Sequence, residues 1–351
     1  VCDWFFPAAT AKGYELPIIQ EIWDVLRAFA SFGFCKAHAA AFALPTYQSA
    51  WLKTHYPAAF LAGVLTHDPG MYPKRLIVDE ARQMGITIAP IDVNASDAVY
   101  RVEDHGNAIR IALATVSGIS DGEVQSIIAG RPYIDLNDFV RRSGCSTPVT
   151  ESLILTGGFD SLHADVNRRD LLLHFSDLQK SPSAAVSGAQ MNLGFEPPAL
   201  ISSGLPAMTA SESVKYEIDR LGIDMSRHLI EFYGEFLNVI GAVRSSDLLK
   251  QRSQSSVLVA GIKVAMQTPP VRSGKRVIFL TLDDGYGCSD STFFTDVQSE
   301  YANVLYSTSL LLVRGVTRRT GARGISIRAT GAWDLRAAYE SWSAKQSTLA
   351  I

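Results

Sequence analysis

The sequence predicts a multidomain α+β chain, helical through its first half and rich in strands toward its end. Three observations predict it. Apolar residues recur at helical spacing behind Pro17, Pro57 and Pro73. Short helices broken by glycine turns follow from about residue 109. Five short strand patterns then crowd into Val257 to Ala329, with one helical pattern after the third. Five strands with a helix in that place match the order of an OB-fold barrel.

Ile18, Ile22, Val25, Leu26 and Phe29 mark an amphipathic helix after Pro17. The stretch "SFGFCKAHAAAFALPTYQSAWLKTHYPAAF" comes next, from Ser31 to Phe60. Its "FGF" breaks the first helix, and Pro45 and Pro57 interrupt an Ala- and aromatic-rich remainder suited to tight helix packing. Tyr47, Ala50, Trp51 and Thr54 share one helix face, so Tyr47 and Trp51, with Phe60, are expected in the core. Pro57 opens "PAAFLAGVLTH", and Pro73 opens a helix with Ile77, Ala81 and Met84 on one face and Gly85 as its stop. "ITIAPIDVN" reads as a short extended segment. "AVYRVEDHGNAIRIAL" reads as a hairpin about a His-Gly-Asn turn.

"ATVSGISDGEVQSIIAG" and "LNDFVRRSGCSTPVTESLILTGGFDSL" read as short helices with glycine turns. Ser181 to Ser213 has linker composition. The strands are "VLVAGIKVAM", "RVIFLTLDDGYG", "STFFTDV", "SLLLVRGVTRR" and "GISIRAT", with the helix "SEYANVLYS" after the third.

The totals exclude several function classes. The chain has 351 residues, 47% hydrophobic and 19% charged, an ordinary globular balance with room for two or three domains. No apolar run approaches the roughly 20 residues of a membrane span. Val1 opens the chain and no signal-peptide pattern follows, as though the segment were cut from something larger. Cysteines 2, 35, 145 and 288 form no CxxC pair, which argues for a reducing compartment and against a disulfide framework or a zinc site. A net charge of −3 gives no global pull on nucleic acid, so any such binding comes from local patches. HExxH, GxxxxGK[ST] and GxSxG motifs are absent, and no two aspartates stand two residues apart. The chain is therefore expected to hold no complete active site, no catalytic residue and no metal.

"GFCKAHAAAFALPTYQSAWLKTHYPAAFLAGVL" resembles the fingers region of bacterial C-family DNA polymerases, the family of the DNA polymerase III alpha subunit. Cys35 stands where that family usually has asparagine. "ARQMGITIAPIDVNASD", "VSGIS", "LILTGGFDSL" and "LGIDMSRHLI" occur in the family's order, and the wording is closer to the error-prone, damage-inducible paralogue. The resemblance implies six segments. Residues 1–100 are the C-terminal part of the fingers, 101–165 a helix-hairpin-helix region and 166–213 a flexible linker. Residues 214–250 are connector helices, 251–335 the OB-fold domain and 336–351 a C-terminal tail. The palm, with its aspartates and Mg²⁺, lies in the parent protein. The implied function is the DNA-binding part of a polymerase for replication and damage-induced translesion synthesis, in the cytoplasm. The alternative is a stand-alone nucleic-acid-binding accessory module.

Site residues follow. From spacing alone, Lys36 is a solvated lysine and His38 a helix cap; the resemblance assigns both to the phosphates of the incoming nucleotide or of the template. In "VSGIS", Ser117, Gly118 and Ser120 form a turn at a helix N-terminus, able to bind DNA phosphate without reading sequence, with Val124 and Ile127 packing beneath. Ser120 stands where a second glycine is usual, a place that tolerates the turn less well. Arg141, Arg142, Arg168 and Arg169 offer a basic flank. On the barrel, Phe279, Phe293 and Phe294 are candidate stacking aromatics, and Lys275, Arg276, Arg318 and Arg319 candidate backbone contacts for a single strand. Strand alternation sends Phe293 and Phe294 to opposite faces, so one of them fills the core. "QMNLGF" in the linker resembles the hexapeptide by which bacterial proteins dock on the sliding clamp, with Gln190, Leu193 and Phe195 as its anchors. Expected partners are primer-template and single-stranded DNA, and the clamp or a clamp-binding companion protein.

Overall fold

The computed structural model describes residues 2–32, 36–68, 70, 72–180, 200–269 and 276–349. The chain divides into two compact units, Val1–Tyr56 and Pro57–Ile351.

The first unit is three helices: α1 (Cys2–Ala11), α2 (Leu16–Phe32) and α3 (Lys36–His55). Phe5 and Phe6 pack on Trp23, with ring centroids 5.4 and 5.9 Å away. The helix after Pro17 forms, but Ile18, Ile22, Val25 and Leu26 stay 44–51% exposed, and among its described side chains Ile19 is the buried one. Three short helices offer too little partner surface to cover an apolar face that wide. α3 runs through Pro45 without interruption. Tyr47 and Trp51 are 69% and 43% exposed, not core. They share one helix face, on which Trp51 meets the rings of His55 and Tyr56 at 4.6 and 5.7 Å.

The second unit begins with α4 (Pro57–His67) and α5 (Lys74–Gln83). Gly85, at φ +78°, stops α5 in the left-handed conformation glycine tolerates. A three-stranded sheet follows: β1 (Thr87–Ala89), β2 (Arg101–Glu103) and β3 (Ala108–Arg110), in the order β1-β3-β2. β2 and β3 form the expected hairpin, and β1 adds a parallel edge. Then come α6 (Asp121–Ala129), α7 (Leu136–Ser143), α8 (Thr147–Leu155) and α9 (Arg168–Lys180). One apolar core joins α4 and α5 to these helices through Leu65, Val78, Ile109, Ile127, Phe139, Leu153 and Phe159.

α9 corrects the linker boundary. Residues 168–180 are helical, and Leu171 and Phe175 are buried in that core. The compositional linker signal begins only at Ser181, and one apolar face buries the helix before it. α10 (Ala210–Leu221) begins behind a capping box made by Thr209 and Glu212. α11 (Gly234–Val239) and α12 (Ser245–Leu248) lead to the barrel.

The barrel comprises β4 (Ser256–Gln267), β5 (Ile278–Asp283), β6 (Cys288–Phe293), α13 (Thr295–Ser307), β7 (Leu310–Arg319) and β8 (Ile325–Asp334). It closes in the order β4-β5-β6-β8-β7, an OB-fold arrangement with its helix after the third strand. Val257, Val259, Leu280, Leu282, Phe293, Leu311, Val313 and Ile327 fill it. β6 points Ser289, Ser291 and Phe293 inward, so a strand poor in apolar residues still alternates correctly. Gly315 sits at a register shift between β7 and β8, where a Cβ would stand 2.4 Å from the Arg328 carbonyl oxygen. The expected tail is instead a helix, α14 (Leu335–Leu349), whose Leu335, Tyr339 and Trp342 pack with Ile230, Tyr233 and Phe236.

Phe139 is fully buried between Tyr133 and Phe159, each ring centroid 4.9 Å from its own. Phe139→Ala is expected to lower the stability of this unit by about 3–5 kcal/mol. Urea unfolding measures it, and an unchanged midpoint would contradict the packing described.

Candidate nucleic-acid interface

The hairpin Val116–Ser120 lies between a short 3₁₀ turn and α6. Val116 is buried, and Ser117 and Gly118 are exposed at the tip. Gly118 has φ +80°, the position in this turn that needs glycine. Ser120 has φ −92°, so a second glycine is not required there. Its hydroxyl caps α6 by accepting from the Glu123 N–H, and the Glu123 carboxylate accepts from the Ser120 N–H at 2.9 Å. Glu123 also accepts from the backbone N–H and hydroxyl of Ser146, the N-cap of α8. Those hydrogen bonds, from Ser146 foremost and then Ser120, hold its carboxyl down at about 2. The end of α6 that could meet a phosphate thus carries the carboxylates of Asp121 and Glu123, and two of its polar groups are engaged internally. Val124 and Ile127 pack beneath as expected.

The expected basic flank is mostly internal structure. Asp138 is buried and pairs with both Arg141 and Arg142. Its hydrogen bond from Arg142 outweighs burial and keeps the carboxyl at about 2. Arg142 also donates to the carbonyls of Gly130 and Pro132 and lies 4.8 Å over the Tyr133 ring. Arg141 remains 75% exposed beyond its single ion pair. Arg168 clasps Asp160 and the Leu155 carbonyl, and Arg169 pairs with Glu212.

The barrel offers a different surface. Residues paired across strands point the same way, and the register runs Phe279–Thr292–Arg328–Val316 across β5, β6, β8 and β7. Phe279 is 45% exposed and Phe294 40%, while Phe293 is wholly buried, as alternation requires. The Arg328 guanidinium lies 5.7 Å from the Phe294 ring centroid and 3.6 Å from Asp296. Thr292, Phe294, Arg318, Ser326 and Arg328 line a groove of about 870 Å³. Arg319 is exposed beside it, with one guanidinium nitrogen on the Leu249 carbonyl at 2.9 Å. Arg323 is exposed in the turn between β7 and β8. Aromatic faces next to guanidinium groups in an open groove suit a flexible polyanion carrying flat rings. Arg328 was missed in the sequence. Its signal was the alternation of "GISIRAT", which puts that arginine on the outward face.

His38 lies in the first turn of α3, exposed and 4.6 Å from the Phe42 ring. Lys36 is the first residue of that helix, and its side chain lies outside the described part. Gln190, Leu193, Phe195 and Lys275 also lie outside the described residues. Among the described residues, one group of three side chains could ligate a metal: Asp79, Asp224 and His228, all buried. It has no face open to a substrate, so it does not fit the divalent ions of nucleotidyl transfer. No helix among the described residues is long and apolar enough to cross a membrane.

Residues 85–171 match the family described as Helix-hairpin-helix motif. The error-prone DNA polymerase of Symbiobacterium thermophilum is 31% identical over 92% of this chain and 34% of its own length. That of Bdellovibrio bacteriovorus is 30% identical over 88% of this chain and 30% of its own. The DNA polymerase III subunit alpha of Vibrio cholerae is 29% identical over 97% of this chain and 30% of its own. The chain spans about a third of the length of the relatives it matches, and over nearly all of its residues it is a homologue of the bacterial error-prone DNA polymerases and DNA polymerase III alpha subunits.

Proposed function

We propose that this chain is the C-terminal, DNA-handling portion of an error-prone DNA polymerase, and that the groove on its barrel seats single-stranded DNA. The observation that carries the reading is the groove itself, in which exposed Phe294 lies beside Arg328 and Arg318. Phenylalanine faces would stack with bases, and the arginines would meet phosphates, with no base edge read by a hydrogen bond. The helix-hairpin-helix region supports the reading through the exposed tip at Ser117 and Gly118. The acidic first turn of α6 makes that tip the weaker contact, because anions at a helix N-terminus compete with phosphate.

In the parent polymerase, the start of α3 would face the nucleotide, with Lys36 and His38 toward its phosphates. Mg²⁺ and the catalytic carboxylates would belong to a segment outside this chain. Damage-induced translesion synthesis in the cytoplasm is the cellular role we assign to that parent. Gln190, Leu193 and Phe195 are proposed to dock on the sliding clamp or a companion protein.

Binding of a fluorescent dT oligonucleotide tests the groove. Phe294→Ala and Arg328→Ala are each expected to weaken it about tenfold, near the lower end of the ~1–3 kcal/mol of a stacked base. Arg101→Ala, a change at an exposed ion pair with Asp97, serves as the control and should have no effect. Equal binding by all three variants would return the groove to ordinary surface. Log K should fall with log[salt] at a slope near about −3, for roughly four neutralised phosphates on a single strand. A salt-independent affinity would contradict this.

The isolated chain, given primer-template, nucleotides and Mg²⁺, is expected to extend nothing. Extension by rigorously purified chain would show that it holds a complete catalytic centre of its own.

A further inference from the structure

Six charged or titratable side chains meet inside the second unit, where α5, the segment after α10 and the end of β5 converge. Arg75, Asp79 and Arg82 come from α5, Asp224 and His228 from the segment, and Asp283 from β5. Asp79, Asp224, His228 and Asp283 are each at least 98% buried. Arg82 donates to Asp79 Oδ1 at 2.6 Å and to the Met225 carbonyl at 2.8 Å. The Arg75 guanidinium is 3.8 Å from Asp283. His228 Nε2 stands 3.4 Å from Asp283 Oδ2 and 3.7 Å from Asp79 Oδ2. The imidazole lies against Gly285, where a Cβ would come within 2.8 Å of the ring.

Within this cluster three buried oxygens, Asp79 Oδ2 and both carboxylate oxygens of Asp224, and one buried nitrogen, Arg75 Nη1, have no hydrogen-bond partner. Three carboxylates against two guanidiniums also leave one negative charge in excess, and a buried uncompensated charge is strongly disfavoured. A metal ion or a proton would balance it. Ligating atoms of Asp79, Asp224 and His228 do lie within 4.8 Å of one another. The imidazole does not fit a metal, however. His228 Nδ1 accepts the Ile230 N–H at 3.2 Å, so the ring proton sits on Nε2, the nitrogen that faces the carboxylates. A ligand there needs a lone pair that Nε2–H does not have. The same tautomer lets Nε2–H donate to Asp283. Two adjacent guanidinium groups further oppose a second cation.

We infer that the Asp79–Asp224 pair holds one proton, that this proton cancels the excess buried charge, and that it holds α5 against the segment after α10. Burial raises the Asp79 carboxyl from 3.8 to about 7, with His228 opposing and the Asp224 and Asp283 charges adding to the rise. Burial raises Asp224 as well. For His228, burial lowers the imidazole, but the hydrogen bond to Asp283 and the surrounding carboxylates raise it more. Imidazole and carboxyl pair thus compete for one proton, and the Ile230 N–H, which needs a free lone pair on Nδ1, decides for the carboxyls. For Asp283, burial is outweighed by His228, the Gly285 N–H and Arg75, and its carboxyl stays ionised. Cys288, on β6 opposite Asp283, is exposed, and partial desolvation and the carboxylates around it hold its thiol up at about 11, where it stays neutral. Glu231 accepts the His228 N–H, and Asp284 is held by Ser245.

The folded pKa of Asp79 lies above its unfolded value. Its stabilisation is therefore complete below about pH 3.8 and is lost as pH rises through about 7. The experiment is urea unfolding of the whole chain from pH 6 to 8.5, for wild type, Asp79→Asn and Asp224→Asn. Over that range the folding equilibrium constant of wild type should fall about tenfold relative to either variant. The Asn amide removes the charge permanently, and groups outside the cluster titrate alike in all three proteins. A proton on His228, whose pKa Asp79 and Asp224 raise, is told apart by infrared difference spectra, since only a protonated carboxyl gives the carbonyl band. Parallel profiles would overturn the proposal. So would stabilisation of wild type, but of neither variant, by Mg²⁺, Mn²⁺ or Zn²⁺, which would make the cluster a metal site. Infrared difference spectra of wild type alone serve if the variants fail to fold. A protonated-carboxyl carbonyl band should be present at pH 6 and gone by pH 8.5, and its absence at pH 6 would refute the shared proton.

Discussion

The second unit depends on α5 being buried on two faces of opposite character. Ile77, Val78 and Ala81 face the apolar core shared with α4 and the helices after the small sheet. Arg75, Asp79 and Arg82, at i, i+4 and i+7, face the polar segment around Asp224 and the end of β5. Apolar packing tolerates small slides, but hydrogen-bonded charges do not, because each misplacement strands a charge without water. The barrel is therefore fixed to the helical region by directional contacts, and removing any one partner leaves another unpaired.

The same contrast separates the arginines of the two regions. Between residues 85 and 171 they hold the chain to itself. Arg110 forks onto Glu103, Arg131 donates to the Val93 and Ser96 carbonyls, and Arg142 gathers Asp138 and two carbonyls. Such arginines fix loops that have no regular hydrogen bonding of their own. On the barrel, Arg328 is 63% exposed and shares only a loose pair with Asp296. With a net charge of −3 the chain as a whole does not draw a polyanion, so the position of these barrel arginines matters more than their number.

Much of the architecture was legible in the sequence. The five strands and the helix after the third were readable because alternation about a closed barrel repeats with period two, even in β6, where serines take inward positions. The helix start at Pro57 and the stop at Gly85 were readable because they rest on backbone geometry local to one residue. The linker boundary was not, because the burial of Leu171 and Phe175 on α9 depends on helices far along the chain. The same holds for Tyr47 and Trp51, whose spacing describes a helix face but not what covers it.

The sequence by itself determined the element order, the barrel and the kinship with a polymerase family, since each is written in periodicity, turn residues and ordered motifs. The tertiary structure alone decided which charges are free for a ligand. Arg142 and Arg328 look alike in sequence, but one is closed over Asp138 and the other opens beside Phe294. It alone brought together Asp79, Asp224 and Asp283, spread over about two hundred residues. The physical reason is that local backbone preferences act over a few residues, whereas desolvation and charge pairing depend on whatever the fold brings within a few ångströms.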